Sequence, residues 1–469
     1  MSIIKKNWKY LLIVGLSFRL ILFLLIRPWN AEVEDKKILI SDPSGYHSLA
    51  LSIKKSGFTD RPFAFRTPGY PLFIYAIYFF TGAKPWIIIL VNFLIALVSG
   101  WLLYKIALLF FSANVSFLTA TLFLMDPHIN LFNQTLFSET LFISLFLLSI
   151  YLFLKWVKNY KTTHLIMCAV MMGIATLVRP VSIYFPIVLV LGYLFFFFKR
   201  QKQINWKSIV LYLSLFYLTL SPWMLRNYFR YGNYSISTIQ GYNLLFCNST
   251  FSEAVRTGKE PEEIEKEFKR EAIKNGIDDK YGNPFVNAEY YQKVALSCMY
   301  EQPAFYAKRF FNGFLFSYLN LNVFEFCNYL NLSYTPHSWG LYQNPSFYQI
   351  LKNYFKGKTR NEIFISVILI LWLVFSYLMA FAGIFFLIKK KHFWLLTFIM
   401  ITIFYFAFLA GDVGEVRYKL PAIPFYLLLS GVGFYGLIRT NFLQSPPTLL
   451  PKPDANSNKA LIENQLLPS

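Results

Sequence analysis

The sequence predicts an all-α polytopic membrane protein with about ten transmembrane helices, and three observations predict it. Hydrophobic residues make up 56% of the 469 positions and charged ones only 15%, where soluble domains carry about a quarter charged. The apolar residues gather in runs long enough to cross ~30 Å of hydrocarbon. The basic residues gather in short clusters between those runs, on alternate sides. Mean hydropathy is +0.44, and aromatics reach 20%, with 51 Phe and 32 Tyr. These values exclude a soluble enzyme, a disordered chain and a coiled coil. The excess of 45 Lys+Arg over 24 Asp+Glu gives a net charge of +21, which in a soluble protein would suggest nucleic acid. Here it marks loops, and no nucleic-acid partner is expected.

Lys5, Lys6 and Lys9 precede an apolar run from about Tyr10 to Pro28. It passes Arg27 without a small-residue cleavage site and reads as an uncleaved first span. Further spans cover roughly 86–104, 115–125 with its flanks, 136–154, 206–222, 363–388, 393–410 and 418–438. The stretch from Leu165 to Phe198 is too long for one helix, and Arg179-Pro180 divides it into two spans and a tight turn. With the N-terminus cytoplasmic, Lys105, Lys155/Lys158/Lys161, Lys199/Arg200/Lys202, Lys389/Lys390/Lys391 and Arg439 all fall inside. Pro71–Phe80 is too short to span and reads as an interfacial or re-entrant helix.

The chain then divides into four parts. Residues 1–222 form an N-terminal membrane region with a large first outer loop at 29–85. Residues 223–360 form a mostly helical outer segment between the seventh and eighth spans, and 361–438 a C-terminal membrane region. The tail, 439–469, is rich in Pro, Asn and Ser and is expected to be disordered and cytoplasmic. Within the outer segment, Pro261-Glu262-Glu263 opens a helix, Glu262/Lys266 and Glu265/Lys269 are spaced for pairing, and Gly276 stops it. Cys168, Cys247, Cys298 and Cys327 follow no metal spacing; the last three share the outer segment, where one disulfide could form.

Residues able to do chemistry lie at the outer ends of spans or in the outer loops. Asp42-Pro43 opens a short helix with Tyr46, Leu49, Ala50 and Ile53 on one face and Gly57 at its end. Asp42 reads equally as a helix cap and as a carboxylate at the water–lipid boundary, where a general base could deprotonate an acceptor hydroxyl. Arg66 starts the rigid turn Arg66-Thr67-Pro68-Gly69-Tyr70-Pro71, and a guanidinium's planar fork suits a phosphate; pairing with lipid headgroups is the alternative. Arg179, Arg226 and Arg417 also sit at outer helix ends, the side where positive charge is scarce. Glu139 begins the fourth span, as a favourable first-turn acid or as a second site carboxylate. Arg19 lies mid-span, where a charge must be paired or face a cavity. No P-loop, HExxH, GxSxG or paired-cysteine metal motif occurs. Chemistry outside the membrane therefore needs an already activated, lipid-borne donor.

These residues resemble the GT-C superfamily of integral-membrane glycosyltransferases, in the bacterial branch similar to protein O-mannosyltransferases and the lipid A aminoarabinose transferase. The carrying motifs are Asp42…Tyr46…Ala50, Arg66-x-Pro-Gly-Tyr-Pro, Ser138-Glu139-x-Leu-Phe and Leu177-x-Arg179-Pro180. They continue with Pro222-Trp223-x-x-Arg226-Asn227-Tyr228 and Glu415-x-Arg417-Tyr418-x-x-Pro421, in order over about residues 8–438. The resemblance implies a polyprenyl-phosphate sugar donor and transfer with inversion to a glycan, lipid or protein acceptor on the periplasmic face of a bacterial inner membrane, both termini being cytoplasmic. It implies Asp42 as the catalytic acid of the first outer loop. It also implies a donor-binding set of Arg66, Tyr70, Glu139, Arg179, Arg226, Glu415, Arg417 and Tyr418. Some relatives use a divalent cation and others none; Pro43 replaces the second acid that often follows the first, which weakens a metal pair here. The competing reading is a transporter or flippase of lipid-linked sugars, which should show broken helices near the midplane and a two-fold repeat.

Overall fold

The computed structural model describes residues 2–198, 204–335, 354–409, 411 and 414–438. The expected loop Lys199/Arg200/Lys202, Arg439 and the tail 439–469 lie outside them. Each expected apolar run forms a helix. Six are long and apolar enough to cross a bilayer: Lys9–Ile26, Pro85–Leu108, Glu139–Asn159, Trp206–Tyr231, Arg360–Lys389 and Val416–Ile438. Ala113–Met125, Thr162–Val178, Pro180–Phe195 and Phe393–Phe408 are shorter apolar helices. Gly69–Thr81, with 13 residues, rises about 20 Å at 1.5 Å per residue, too little to cross. No strand occurs among the described residues. This is a multi-pass, all-helical membrane protein.

The short helix Ala113–Met125 ends inside the bundle at Asp126-Pro127, and side chains satisfy the broken ladder. Arg19 Nη1 (3.0 Å) and Asn130 Nδ2 (2.9 Å) both donate to Leu124 O, while Asp126 Oδ1 accepts from Ile129 N at 3.0 Å. Trp372 Nε1 donates to Asp126 Oδ2 at 2.9 Å. Backbone groups at membrane depth need such partners. Arg19, fully buried, is thus a bundle-facing arginine that closes a helix end.

Pro222 was expected to end the seventh span, but the helix runs through it to Tyr231. A proline lacks the N–H that would bond the carbonyl four residues back, here Leu218 O. Ser221 Oγ donates to that oxygen at 2.8 Å, so the ladder keeps its partner and Trp223, Arg226 and Asn227 lie on the extended helix.

The segment after Tyr231, expected to lie outside the membrane, has a small core of Leu245, Phe246, Ala272, Ile277, Tyr291 and Ala295. Its helix Pro261–Lys274 has the expected Glu265–Lys269 pair at 2.5 Å. The second ion pair found there joins Glu267 to Lys259 at 2.5 Å, not Glu262 to Lys266. Gly276, at φ 78°, follows as the left-handed stop. All four cysteines are free thiols, so the expected option of a disulfide is not taken.

Candidate active site

Asp42 is the first residue of the helix Asp42–Ser56, and the preceding Ser41 makes no side-chain cap. The cap reading of Asp42 is therefore replaced by a different one. Its Oδ1 accepts from Arg66 Nη2 at 2.6 Å and its Oδ2 from Arg417 Nη1 at 2.5 Å, partners 24 and 375 residues away. Burial opposes the charge on Asp42, but the Arg417 and Arg66 guanidiniums outweigh it and hold the carboxyl at about 2.

Local sequence explains how each partner arrives. Gly45 lets Arg66 lie along the helix start, since a Cβ there would sit 3.1 Å from its Nε and Nη2. The Arg66 guanidinium covers the Tyr46 ring at 4.5 Å, and Tyr70, fully buried, meets Tyr46 edge-on at 4.8 Å. Tyr70 therefore backs the site through Tyr46. The turn carrying Arg66 packs on the Arg-Pro turn: a Cβ on Gly69 would fall 2.6 Å from the Leu177 backbone, two residues before Arg179. Arg179 is ion-paired with Glu139, which is buried while Arg179 is mostly so. Ser138 Oγ lies 3.4 Å from Glu139 Oε2 and 3.4 Å from the Tyr46 hydroxyl, joining this pair to the Asp42 helix. Beneath Glu139, Phe142, Phe146, Phe185 and Phe406 pack ring to ring, with Phe146 and Phe185 centroids at 4.7 Å.

Arg417 completes the set from the last membrane segment. Its Nε pairs with Glu415 Oε2 at 2.6 Å, and its guanidinium lies 5.4 Å from the Tyr418 ring. Arg179 and Glu139 both lie within electrostatic range of it. Three guanidiniums (Arg66, Arg179, Arg417) thus interleave with three carboxylates (Asp42, Glu139, Glu415) in one formally neutral network.

Arg226, expected beside the donor, is engaged elsewhere. Its Nε and Nη2 donate to Phe58 O at 3.1 and 2.5 Å, its Nη1 to Asn227 Oδ1 at 2.8 Å, and it covers the Trp223 ring at 4.8 Å. It fastens the loop carrying Phe58 to the helix Trp206–Tyr231. Arg226→Ala should therefore lower stability by about 2 kcal/mol, the scale of a hydrogen bond to a charged group, in thermal unfolding of the detergent-purified protein. Donor affinity should move less than in an Arg66 variant.

Sequence reasoning missed Glu325. Its short helix Val323–Tyr329 is held at both ends: Lys419 Nζ donates to Asn320 O at 3.2 Å, while Tyr329 donates to Lys37 O at 3.2 Å and Lys37 to Asn328 O. That places Glu325 toward Glu415, and burial together with the Glu415 charge raises its pKa. No motif flags this residue. Among the described residues no group of three His, Cys, Asp or Glu could hold a metal. The partners of Asp42 are guanidiniums, so a divalent cation finds no matching donor set there.

Comparison with known proteins adds to this geometry. Residues 60–225 match the sequence model of the dolichyl-phosphate-mannose-protein mannosyltransferase family. The match covers about a third of the chain and includes Arg66, Tyr70, Glu139 and Arg179, while Asp42 and Arg417 lie outside it. A sequence search of curated proteins finds no match. Among solved structures the chain is similar to the apo oligosaccharyltransferase of Archaeoglobus fulgidus, at 11% identity and TM-score 0.47, over 90% of this chain and 51% of that one. It is also similar to ArnT from Cupriavidus metallidurans, in the apo state (13% identity, TM-score 0.38) and bound to undecaprenyl phosphate (14%, 0.35), each over 90% of this chain and 77% of that one. The chain spans about half the length of the oligosaccharyltransferase it matches.

Proposed function

We propose that this protein is an inverting glycosyltransferase of the GT-C kind, moving a sugar from a polyprenyl-phosphate donor to an acceptor hydroxyl or amine of a cell-envelope glycan, lipid or protein. The observation that carries this reading is Asp42 held between Arg66 and Arg417, a carboxylate and two guanidiniums, a group suited to phosphate, converging from opposite ends of the chain. The family matched by residues 60–225 takes its name from a lipid-phosphate sugar, which supports the donor class. The site lies on the outer face of a bacterial inner membrane, with both termini inside, and the outer segment selects the acceptor.

Asp42 takes the proton of the attacking group, and the arginines stabilise charge growing on the departing phosphate. The test is release of free polyprenyl phosphate from labelled polyprenyl-phosphate sugar by the purified protein. A flippase would leave the donor intact, and that outcome would end the transferase reading. Arg66→Ala and Arg417→Ala should each raise the donor KM by about 10- to 100-fold, the range of one charge-assisted hydrogen bond. Unchanged donor kinetics would assign them to lipid headgroups.

A further inference from the structure

Both oxygens of Asp42 are occupied by guanidinium groups, Arg66 on Oδ1 at 2.6 Å and Arg417 on Oδ2 at 2.5 Å. These are the residues that the transferase reading gives to the donor phosphate. The network offers no spare cation: Arg179 is committed to Glu139, and Arg417 already serves Glu415 as well. Arg226 is fastened to Phe58. Among the described residues, a lipid phosphate arriving beside Asp42 therefore meets guanidiniums that are already paired, and the two in contact with Asp42 are the ones that hold it.

Resting on the transferase reading, we infer that Asp42 and the donor's phosphate compete for Arg66 and Arg417, so that donor binding unlocks the base and Asp42 stays quenched while the donor is absent. A carboxylate bonded through both oxygens to cations is a weak proton acceptor, which suits a resting site that water can reach. The donor phosphate, a diester, carries one negative charge. During transfer the anomeric C–O(phosphate) bond breaks, its electron pair stays on the phosphate oxygen, and the new bond forms from the acceptor oxygen or nitrogen to the anomeric carbon. The acceptor's proton goes to Asp42. The phosphate becomes a monoester of charge approaching −2 and pulls harder on both guanidiniums, so Asp42 gains basicity as the leaving group departs. When polyprenyl phosphate dissociates, the arginines return to Asp42 and its proton is lost to water, which resets the site.

The mechanism makes an uncommon demand: the variant that kills transfer must bind the lipid product better. Undecaprenyl phosphate binding to the full-length protein in nanodiscs should be at least about tenfold tighter in Asp42→Asn than in wild type, because a neutral amide no longer competes for two charge-assisted bonds. Asp42→Ser should show the same gain, which covers the case in which the asparagine variant fails to fold. Equal or weaker binding in a folded variant, alongside clear wild-type binding, overturns this inference and leaves the transferase reading standing. No binding by the wild type overturns both.

Discussion

Asp42→Asn should reduce sugar transfer by about 10²- to 10⁴-fold, the contribution of a positioned general base. An amide keeps one acceptor oxygen for Arg66 or Arg417 but cannot take the acceptor's proton. The chain should still fold, since Leu49 and Ala50 of the same helix are buried independently of residue 42. Labelled donor and purified protein give the measurement, and full activity in the variant would remove Asp42 from the base role. A stability readout accompanies it. The folded-state pKa of Asp42, about 2, lies below the ordinary carboxylate value of about 3.9. The two ion pairs therefore stabilise the fold fully above about pH 4, and that contribution is lost as pH falls toward 2. The difference in thermal stability between wild type and Asp42→Asn should hold constant from pH 7 to pH 5 and shrink only below about pH 4.

What the sequence made legible was what local pattern encodes. Each apolar run became a helix, and Arg179-Pro180 became the break between two of them. Gly69–Thr81 stayed short, and Glu265 met Lys269 one turn on. The site was legible as a set of residue types, and four of its six charged members (Asp42, Arg66, Arg417 and Glu415) meet in one chain of ion pairs. What stayed hidden was partnership. Asp-Pro at a helix start looks like a cap, and nothing local announces a guanidinium 375 residues away. Pro222 looks like a stop because the compensating Ser221 hydroxyl is a side-chain effect. Arg226 shares the helix-end pattern of the other arginines but finds the carbonyl of Phe58. Glu325 carries no pattern at all, and its place comes from anchors on Lys419 and Lys37.

Arg179→Ala should cost about 3–5 kcal/mol of stability, the range for breaking a buried pair by deleting one partner. The Glu139 and Arg179 side chains are 3% and 13% exposed, so the surviving Glu139 carboxylate has little water to turn to. Its nearest alternative is Arg417, already within electrostatic range, and a shift that way would take Arg417 from Asp42. The single variant should therefore lose folded yield and donor turnover together, which by itself says nothing about whether Arg179 touches phosphate. The double variant Glu139→Gln/Arg179→Leu separates the two effects. It removes both charges, and a neutral replacement for a buried pair is often harmless or stabilising, so thermal stability should return most of the way to wild type. If Arg179 binds the donor, turnover stays low in that restored fold and the donor KM remains raised. If the pair serves only to hold the Arg-Pro turn against the Arg66 turn, activity returns with stability, and the phosphate is left to Arg66 and Arg417 alone.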